Sequence, residues 1–199
     1  MTPEDFDKYC QFIRVVTQRL NEHFASQKEY IFCKEGCSLC CENGEYPCTE
    51  LEADFLKSGT ILLNSEAKDK IFYNIEKCKA DKNNYKGKKF HYVCPFLIDK
   101  KCSVYNFRPL ICRVFGLSYY SELNEKREIK IPFCVEQGLN YSAVYDKDKD
   151  ILSMEKFCSG GFKHEPLSTN LSPEFLKSKV GEDILGLNFG KEKPLLDWF

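Results

Sequence analysis

The stretch Cys33-Lys34-Glu35-Gly36-Cys37-Ser38-Leu39-Cys40-Cys41 places four thiols within nine residues, two of them adjacent. A second group follows in Cys94-Pro95-Phe96-Leu97-Ile98-Asp99-Lys100-Lys101-Cys102-Ser103-Val104-Tyr105-Asn106-Phe107-Arg108-Pro109-Leu110-Ile111-Cys112-Arg113, with Cys134 beyond it. Thiolates favour zinc, iron-sulfur clusters and copper(I). The Cys37 to Cys40 step lets one turn wrap an ion. The spacing is nevertheless not that of two clean C-x2-C pairs: it reads C-x3-C-x2-C-C and then C-x7-C-x9-C. Neighbouring residues point their side chains apart, so Cys40 and Cys41 are expected to address two ions, or two corners of one cluster. The eight thiols of Cys33, Cys37, Cys40, Cys41, Cys94, Cys102, Cys112 and Cys134 suffice for two four-thiolate centres. They equally suffice for one iron-sulfur cluster with four thiols left for another role. Unligated buried thiols with one or two reactive ones are the plain alternative, and clustering this dense argues against it.

Arg108 and Arg113 flank Cys112. A four-thiolate zinc site or a four-iron cluster carries excess negative charge. A guanidinium beside it offsets that charge and, by donating to sulfur, raises a cluster's potential. An ordinary ion pair with a carboxylate is the competing role. His91, three residues before Cys94, is expected to be packed or solvent-facing rather than a substitute ligand. Cys10, Cys48 and Cys78 read as core, and Cys158, before Ser159-Gly160-Gly161, as exposed.

Outside these clusters the chain of 199 residues is balanced, with 29 Lys and Arg against 30 Asp and Glu. A net charge of -1 gives no electrostatic case for nucleic acid or an anionic membrane. The start, Met1-Thr2-Pro3-Glu4-Asp5, is acidic where a secretory signal is basic. No apolar run approaches the roughly 18 residues of a transmembrane helix. The expectation is a cytoplasmic protein, and in a reducing compartment twelve cysteines point to metal or redox chemistry rather than a disulfide framework.

Apolar residues at Phe6, Tyr9, Cys10, Ile13, Val16, Leu20 and Phe24 predict an amphipathic helix over about residues 3–28. Residues 30–48 read as irregular. Thr49-Glu50-Leu51-Glu52 fits a capping box for a helix ending near Gly59. Asn64-Ser65-Glu66 opens another, with Ile71, Phe72, Ile75 and Cys78 on one face, fraying into a polar loop over 80–89. Phe90-His91-Tyr92-Val93 suggests a short strand. Asp99-Lys100-Lys101 turns a hairpin that brings Cys94 and Cys102 together. Asn106 is placed as the cap of a short helix carrying Cys112 and Arg113. A strand over 129–133, a short helix from Ser153 and another from Ser172-Pro173-Glu174 complete the reading. The fold class is α+β: a small, mainly helical domain with short β-hairpins around a cysteine-rich metal-binding knuckle. The divisions are an N-terminal amphipathic helix (1–29), a cysteine-cluster domain (30–158) and a C-terminal tail docking on it (159–199).

The tandem Cys40-Cys41 after Cys37, the Cys94-Pro95-Phe96-Leu97 segment and above all Cys102-Ser-Val-Tyr105-Asn-Phe-Arg108-Pro109-Leu-Ile-Cys112-Arg113 resemble the YkgJ-type cysteine-cluster family, CxxCxxCC. The last segment is similar to its C-s-x-Y-x-x-R-P-x-x-C-R signature, and Pro132-Phe133-Cys134 to its closing cysteine. The likeness spans about residues 30–138. The family's first cluster is C-x2-C-x2-C-C; here the step from Cys33 to Cys37 holds one extra residue, which makes Cys33 the most dispensable ligand. The resemblance implies zinc or iron-sulfur binding, with the eight cysteines as ligands and Arg108 and Arg113 beside the cofactor. A relative, flagellin lysine N-methylase, carries the domain with an iron-sulfur cluster and S-adenosylmethionine-dependent methylation. The Cys33-x3-Cys37-x2-Cys40 spacing matches the radical S-adenosylmethionine motif only numerically, since Cys41 follows and the chain is too short for that barrel.

These observations predict a cytoplasmic metal-binding protein holding an iron-sulfur cluster, four-iron in type, with a redox or enzymatic role. A structural zinc interaction module is the first alternative and an S-adenosylmethionine-dependent protein lysine methyltransferase the second. The expected partners are the metal ion or cluster and an unidentified protein, with neither nucleic acid nor membrane.

Overall fold

The computed structural model describes residues 2–123 and 126–199. Its elements run α1 (Pro3–Ser26), α2 (Leu39–Glu42), β1 (Pro47–Thr49), α3 (Glu50–Ile61), α4 (Ser65–Asn84), β2 (Leu97–Ile98), β3 (Lys101–Cys102), α5 (Leu110–Val114), β4 (Tyr119–Leu123), β5 (Lys126–Lys130), β6 (Tyr145–Asp146), β7 (Ile151–Leu152), α6 (Met154–Ser159), α7 (Pro173–Phe175) and β8 (Glu192–Pro194). The strands form antiparallel pairs, β1 with β8, β2 with β3, β4 with β5 and β6 with β7. The fold is α+β, as the hydrophobic periodicities imply. Among the described residues no helix is long and apolar enough to cross a membrane. The chain forms two compact units.

The first unit comprises Glu35–Cys112 and Asn188–Phe199. Thr49 caps α3: its side chain accepts from Glu52 N while the Glu52 carboxylate accepts from Thr49 N at 2.9 Å. That reciprocal arrangement satisfies donors a helix start leaves orphaned. The helix ends at Ile61, two residues past Gly59 and so near the expected stop. The lack of a side chain at Gly59 also serves packing, since a Cβ there would lie 2.4 Å from Cγ of Phe107. Asn64 caps α4 through Ala67 N at 2.9 Å. Ile71, Ile75 and Cys78 turn inward from α4, but Phe72 is 67% exposed. The helix continues to Asn84, through half of the segment expected to be loop. The core joins α3 (Ala53, Leu56) to α4, to Tyr92, Phe96 and Val104, and to Leu195 and Leu196 of the chain end. Burial of each such leucine contributes about 1.5–3 kcal/mol. Pro47–Thr49 pairs with Glu192–Pro194, and Trp198 Nε1 donates to the Cys48 carbonyl at 2.7 Å.

The expected hairpin is present, with Leu97 opposite Cys102 and Ile98 opposite Lys101. Asp99 and Lys100 both adopt positive φ (49° and 62°), the backbone a two-residue turn demands. The expected strand over 90–93 is reduced to a single bridge between Tyr92 and Gly44. Asn106 sits inside a 3-10 turn rather than capping a helix. The next helix begins at Leu110, after Pro109, because Arg108 precedes a proline and is held extended.

The second unit comprises Pro3–Lys34 and Arg113–Leu187. On α1 the buried stripe is Tyr9, Phe12, Ile13, Val16 and Leu20. It keeps Tyr9, Ile13, Val16 and Leu20 of the expected stripe and adds Phe12, while Cys10 is only half-buried. The buried Gln27 accepts from Leu167 N at 2.8 Å and donates to Glu165 O at 3.3 Å, tying the end of α1 to residues 165–167. Tyr30 and Tyr141 stack with centroids 5.9 Å apart. The expected strand over 129–133 lies earlier, at Lys126–Lys130, paired with Tyr119–Leu123. Ser153 and Ser172 cap their helices through Lys156 N (3.2 Å) and Phe175 N (3.1 Å). Past Phe175 the helix widens into a π-helix, Leu176–Glu182.

Burial lowers the pKa of His23 on α1, against a smaller opposing effect of the Leu167 backbone. The unfolded chain therefore takes up this proton first, near pH 6.5. Stability is expected to fall as pH drops below that value, and to level once the folded imidazole also protonates. His23→Gln should flatten this dependence. Urea midpoints at pH 7.5 and 5.5, compared between the two proteins, check it.

Candidate metal centre

The short helix Leu39–Glu42 carries Cys40 and Cys41. Three backbone contacts fix it against the second cluster. Cys94 N donates to Cys41 O at 2.7 Å, Gly44 N to Tyr92 O at 3.2 Å, and Tyr92 N to Gly44 O at 3.4 Å. The hairpin then returns the chain so that Cys102 lies within electrostatic reach of Cys94. Cys112 enters from α5, whose first amide, Leu110 N, donates to Glu52 Oε1 at 2.8 Å. Glu52 is 3% exposed, and its other oxygen takes Thr49 N and Thr49 Oγ1 (2.7 Å). One buried carboxylate thus sets both the start of α3 and the start of the helix that bears Cys112.

These connections bring Cys40, Cys41, Cys94, Cys102 and Cys112 of the first unit into one electrostatically connected group, with the core thiols Cys78 and Cys48 within reach of Cys94 and Cys112. The adjacent side chains do not diverge as expected. The Cys41 thiol donates to the Cys40 sulfur, which brings Cys40 down to about 7 and holds Cys41 well above the ordinary thiol range. Cys94 is pushed up to about 12 by burial, reinforced by the Cys102 charge. Burial likewise raises Cys112, with the Cys94 charge adding to it and Arg108 opposing. The Cys40–Cys41 pair thus shares one proton more tightly than two separate thiols would, while burial keeps Cys94 and Cys112 protonated. Tyr46 lies over the group: its hydroxyl donates to the Cys40 carbonyl, and burial followed by the neighbouring thiolates holds it protonated.

Arg108 is the cation of this group. Its guanidinium stacks on the Tyr105 ring, 3.5 Å from the centroid, and Nε donates to Tyr105 O at 2.9 Å. So placed, it favours the thiolate forms of Cys40 and Cys112. Arg113 belongs to the second unit, is 7% exposed, and donates from Nη1 to Thr17 Oγ1 on α1 at 3.1 Å. Glu42 accepts from Ser38 Oγ (2.6 Å) and pairs with Lys100 at 2.5 Å, linking α2 to the hairpin turn.

Cys37 is exposed just before α2. Cys33 and Cys134 lie in the second unit, Cys33 exposed and Cys134 buried. The Cys33 sulfur accepts from Asn140 Nδ2 at 3.1 Å. Asn140, fully buried, also donates to Gly116 O (2.7 Å) and accepts from Phe32 N (2.7 Å). Gly116, at φ +91°, leaves the room this needs, since a Cβ there would stand 2.9 Å from the Cys33 sulfur. Asn140→Ala removes all three bonds and should cost roughly 2–4 kcal/mol, because two backbone groups lose their partner. A chemical-denaturation midpoint measures it. His91 is exposed, with Nδ1 3.2 Å from Asn43 O, and Cys48 and Cys78 are core.

Sulfur donors with one guanidinium beside them suit a soft or borderline metal. Among the described residues no three His, Cys, Asp or Glu side chains already stand where they could hold a metal ion. The donors are gathered without being closed on a point, and the hydrogen bond between Cys41 and Cys40 keeps a proton that metal binding would displace. Glu52, Tyr46 and Asn140 are the supporting residues that spacing did not reveal. Glu52 was legible as a helix cap, but its bond to Leu110, 58 residues away, leaves no mark in the sequence.

Comparison with curated proteins and with solved structures finds no match. The family model described as "Putative zinc- or iron-chelating domain", CxxCxxCC, matches residues 32–159. The match contains both cysteine clusters and Cys134, and reaches some twenty residues beyond the likeness seen in the motifs. The chain belongs to the CxxCxxCC family of zinc- or iron-chelating domains.

Proposed function

We propose that the first unit binds an iron-sulfur cluster, four-iron in type, through ligands drawn from Cys40, Cys41, Cys94, Cys102 and Cys112, with Arg108 beside it. The observation that carries this reading is the electrostatic grouping of five cysteines from both clusters, of which a four-iron cluster would take four. A bound cluster would supply one-electron redox chemistry. This chain's contribution is to hold the sulfurs, through the contact between Cys94 and Cys41 and the Glu52 carboxylate. Arg108 would offset the negative charge of the ligated thiolates, and Tyr46 would cover them. The family description admits zinc equally, so metal identity is what the experiment must decide. No observation among the described residues favours methyl transfer from S-adenosylmethionine.

Anaerobically purified protein should be brown, with broad absorbance near 400 nm on the order of that shown by such clusters. Iron and acid-labile sulfide should be present in equal amounts. Cys112→Ser and Cys40→Ser should each remove more than about half of the bound iron, as loss of a thiolate ligand does. Colourless protein with stoichiometric zinc would overturn the cluster and leave a zinc centre. Protein that retains no metal under either condition would overturn both.

A further inference from the structure

Tyr105 opens the short turn that precedes Arg108, yet it adds little to the core. Its neighbours anchor the turn: Val104 is 3% exposed, Phe107 N donates to the Val104 carbonyl at 2.8 Å, and the Phe107 ring lies 4.9 Å from that of Phe55. Tyr105 itself is 59% exposed. What its ring does carry is the Arg108 guanidinium, 3.5 Å from the ring centroid. A ring so placed gains little from burial and more from the cation above it.

Arg108 is thereby restrained from three directions. Pro109 follows it and keeps its backbone extended, at φ -63° and ψ 145°. Tyr105 supplies the other two restraints, the ring face and the backbone carbonyl that accepts from Nε at 2.9 Å. A planar guanidinium can lie on a ring and donate from its edge at once, whereas the ammonium of a lysine is a compact charge on a flexible stem. Without the ring the side chain would spread over several rotamers, and its charge over as many positions. The sulfurs that feel this charge are Cys40 from the first cluster and Cys112 from the second.

We propose that Tyr105 is a positioning residue of the metal centre, its ring holding the Arg108 guanidinium beside Cys40 and Cys112. The inference rests on thiolate ligation in the first unit and is indifferent to which metal is bound. Thiolates around a metal ion leave excess negative charge, which a fixed cation offsets. Residues that support ligands in this way change metal affinity by about ten- to a hundredfold. Arginine is then required at position 108 for its plane as well as its charge.

Zinc is the probe, since thiolates bind it whatever metal the protein acquires in the cell. Reduced, metal-free, full-length protein is titrated with Zn2+ in competition with a chromophoric chelator. Tyr105→Leu, a change at an exposed residue, should weaken zinc about three- to tenfold. Tyr105→Phe keeps the ring and should restore the parental affinity to within about twofold. Arg108→Gln should weaken zinc about tenfold, and Arg108→Lys should recover only part of that loss. Adding Tyr105→Leu to Arg108→Gln should change nothing further, because the ring acts only through the guanidinium. An equal loss from Tyr105→Leu in both backgrounds would make the ring's role structural and overturn the inference. Full recovery with Arg108→Lys would show that charge suffices, and would overturn it as well. So would unaltered or tighter zinc binding in Tyr105→Leu, the latter meaning that the ring keeps the cation away from the sulfurs. Failure of thiolate ligation would be read from the parent alone, as protein that binds no zinc, and would take this inference with it.

Discussion

Removal of residues 195–199 should unfold the unit that carries the clustered thiols. Leu195 and Leu196 are 3% and 1% exposed in its core, and the Phe199 ring meets Phe96 edge-on at 5.2 Å. Leu195 N donates to Tyr46 O at 2.8 Å, and Trp198 Nε1 to Cys48 O at 2.7 Å. Truncating a buried leucine costs about 2–5 kcal/mol, and the deletion removes two together with both aromatic rings. The sum exceeds about 5 kcal/mol and so reaches the whole stability of an ordinary domain. The shortened protein is expected to lose the cooperative unfolding of this unit and its capacity to retain metal. Circular dichroism melts and metal analysis read the two losses. Trp198→Phe, which keeps most of the packing and removes one hydrogen bond, should cost only about 1–2 kcal/mol. A truncated protein that melts within a few degrees of the parent would mean that the tail is not part of this core.

Glu52→Ala should be the most damaging single change outside the leucines. The carboxylate is the acceptor for Thr49 N, Thr49 Oγ1 and Leu110 N, all within a buried environment. Hydrogen bonds to a charged group contribute about 1.5–3 kcal/mol each, and two amides would lose their partner. A loss of roughly 3–5 kcal/mol is expected, above the ~1 kcal/mol of an ordinary cap. Glu52→Gln should fall between, since its amide oxygen can serve Leu110 while its NH2 cannot accept from Thr49. Thr49→Ala tests the cap alone. Hydrogen exchange at the Leu110 amide separates the two roles: faster exchange in Glu52→Ala than in Thr49→Ala shows the long-range bond, and equal rates would refute it.

What the sequence revealed followed from local chemistry. Thr49 with Glu52, Asn64, Ser153 and Ser172 all cap where their identities and spacing indicate. The Asp99-Lys100 turn pairs the strands around it as the alternation suggests. What it missed was decided by a neighbour in space. Gly59 stands near the helix end as expected, but that its bare backbone also receives the Phe107 ring is written nowhere near it. Phe72 reads as core beside Ile71, but a helix face is only so wide, and Phe72 falls outside it. At Cys40 and Cys41 adjacent Cβ positions diverge, but the sulfurs beyond them can still meet. The clusters identified the family; which thiols gather, and on what scaffold, depends on contacts such as Cys94 with Cys41 that span about fifty residues.

The pairing of β1 with β8 also has a bearing on biosynthesis. Cys48 stands opposite Lys193, and every residue of the second unit from Arg113 to Leu187 is translated between them. The scaffold of the thiols therefore closes only after the last strand clears the ribosome, at translation rates of about 5–20 residues per second. Until then the strand that pairs with Pro47–Thr49 is missing from the scaffold. Metal delivered then would meet the sulfurs in any combination, whereas metal delivered after closure would meet them as the finished scaffold holds them.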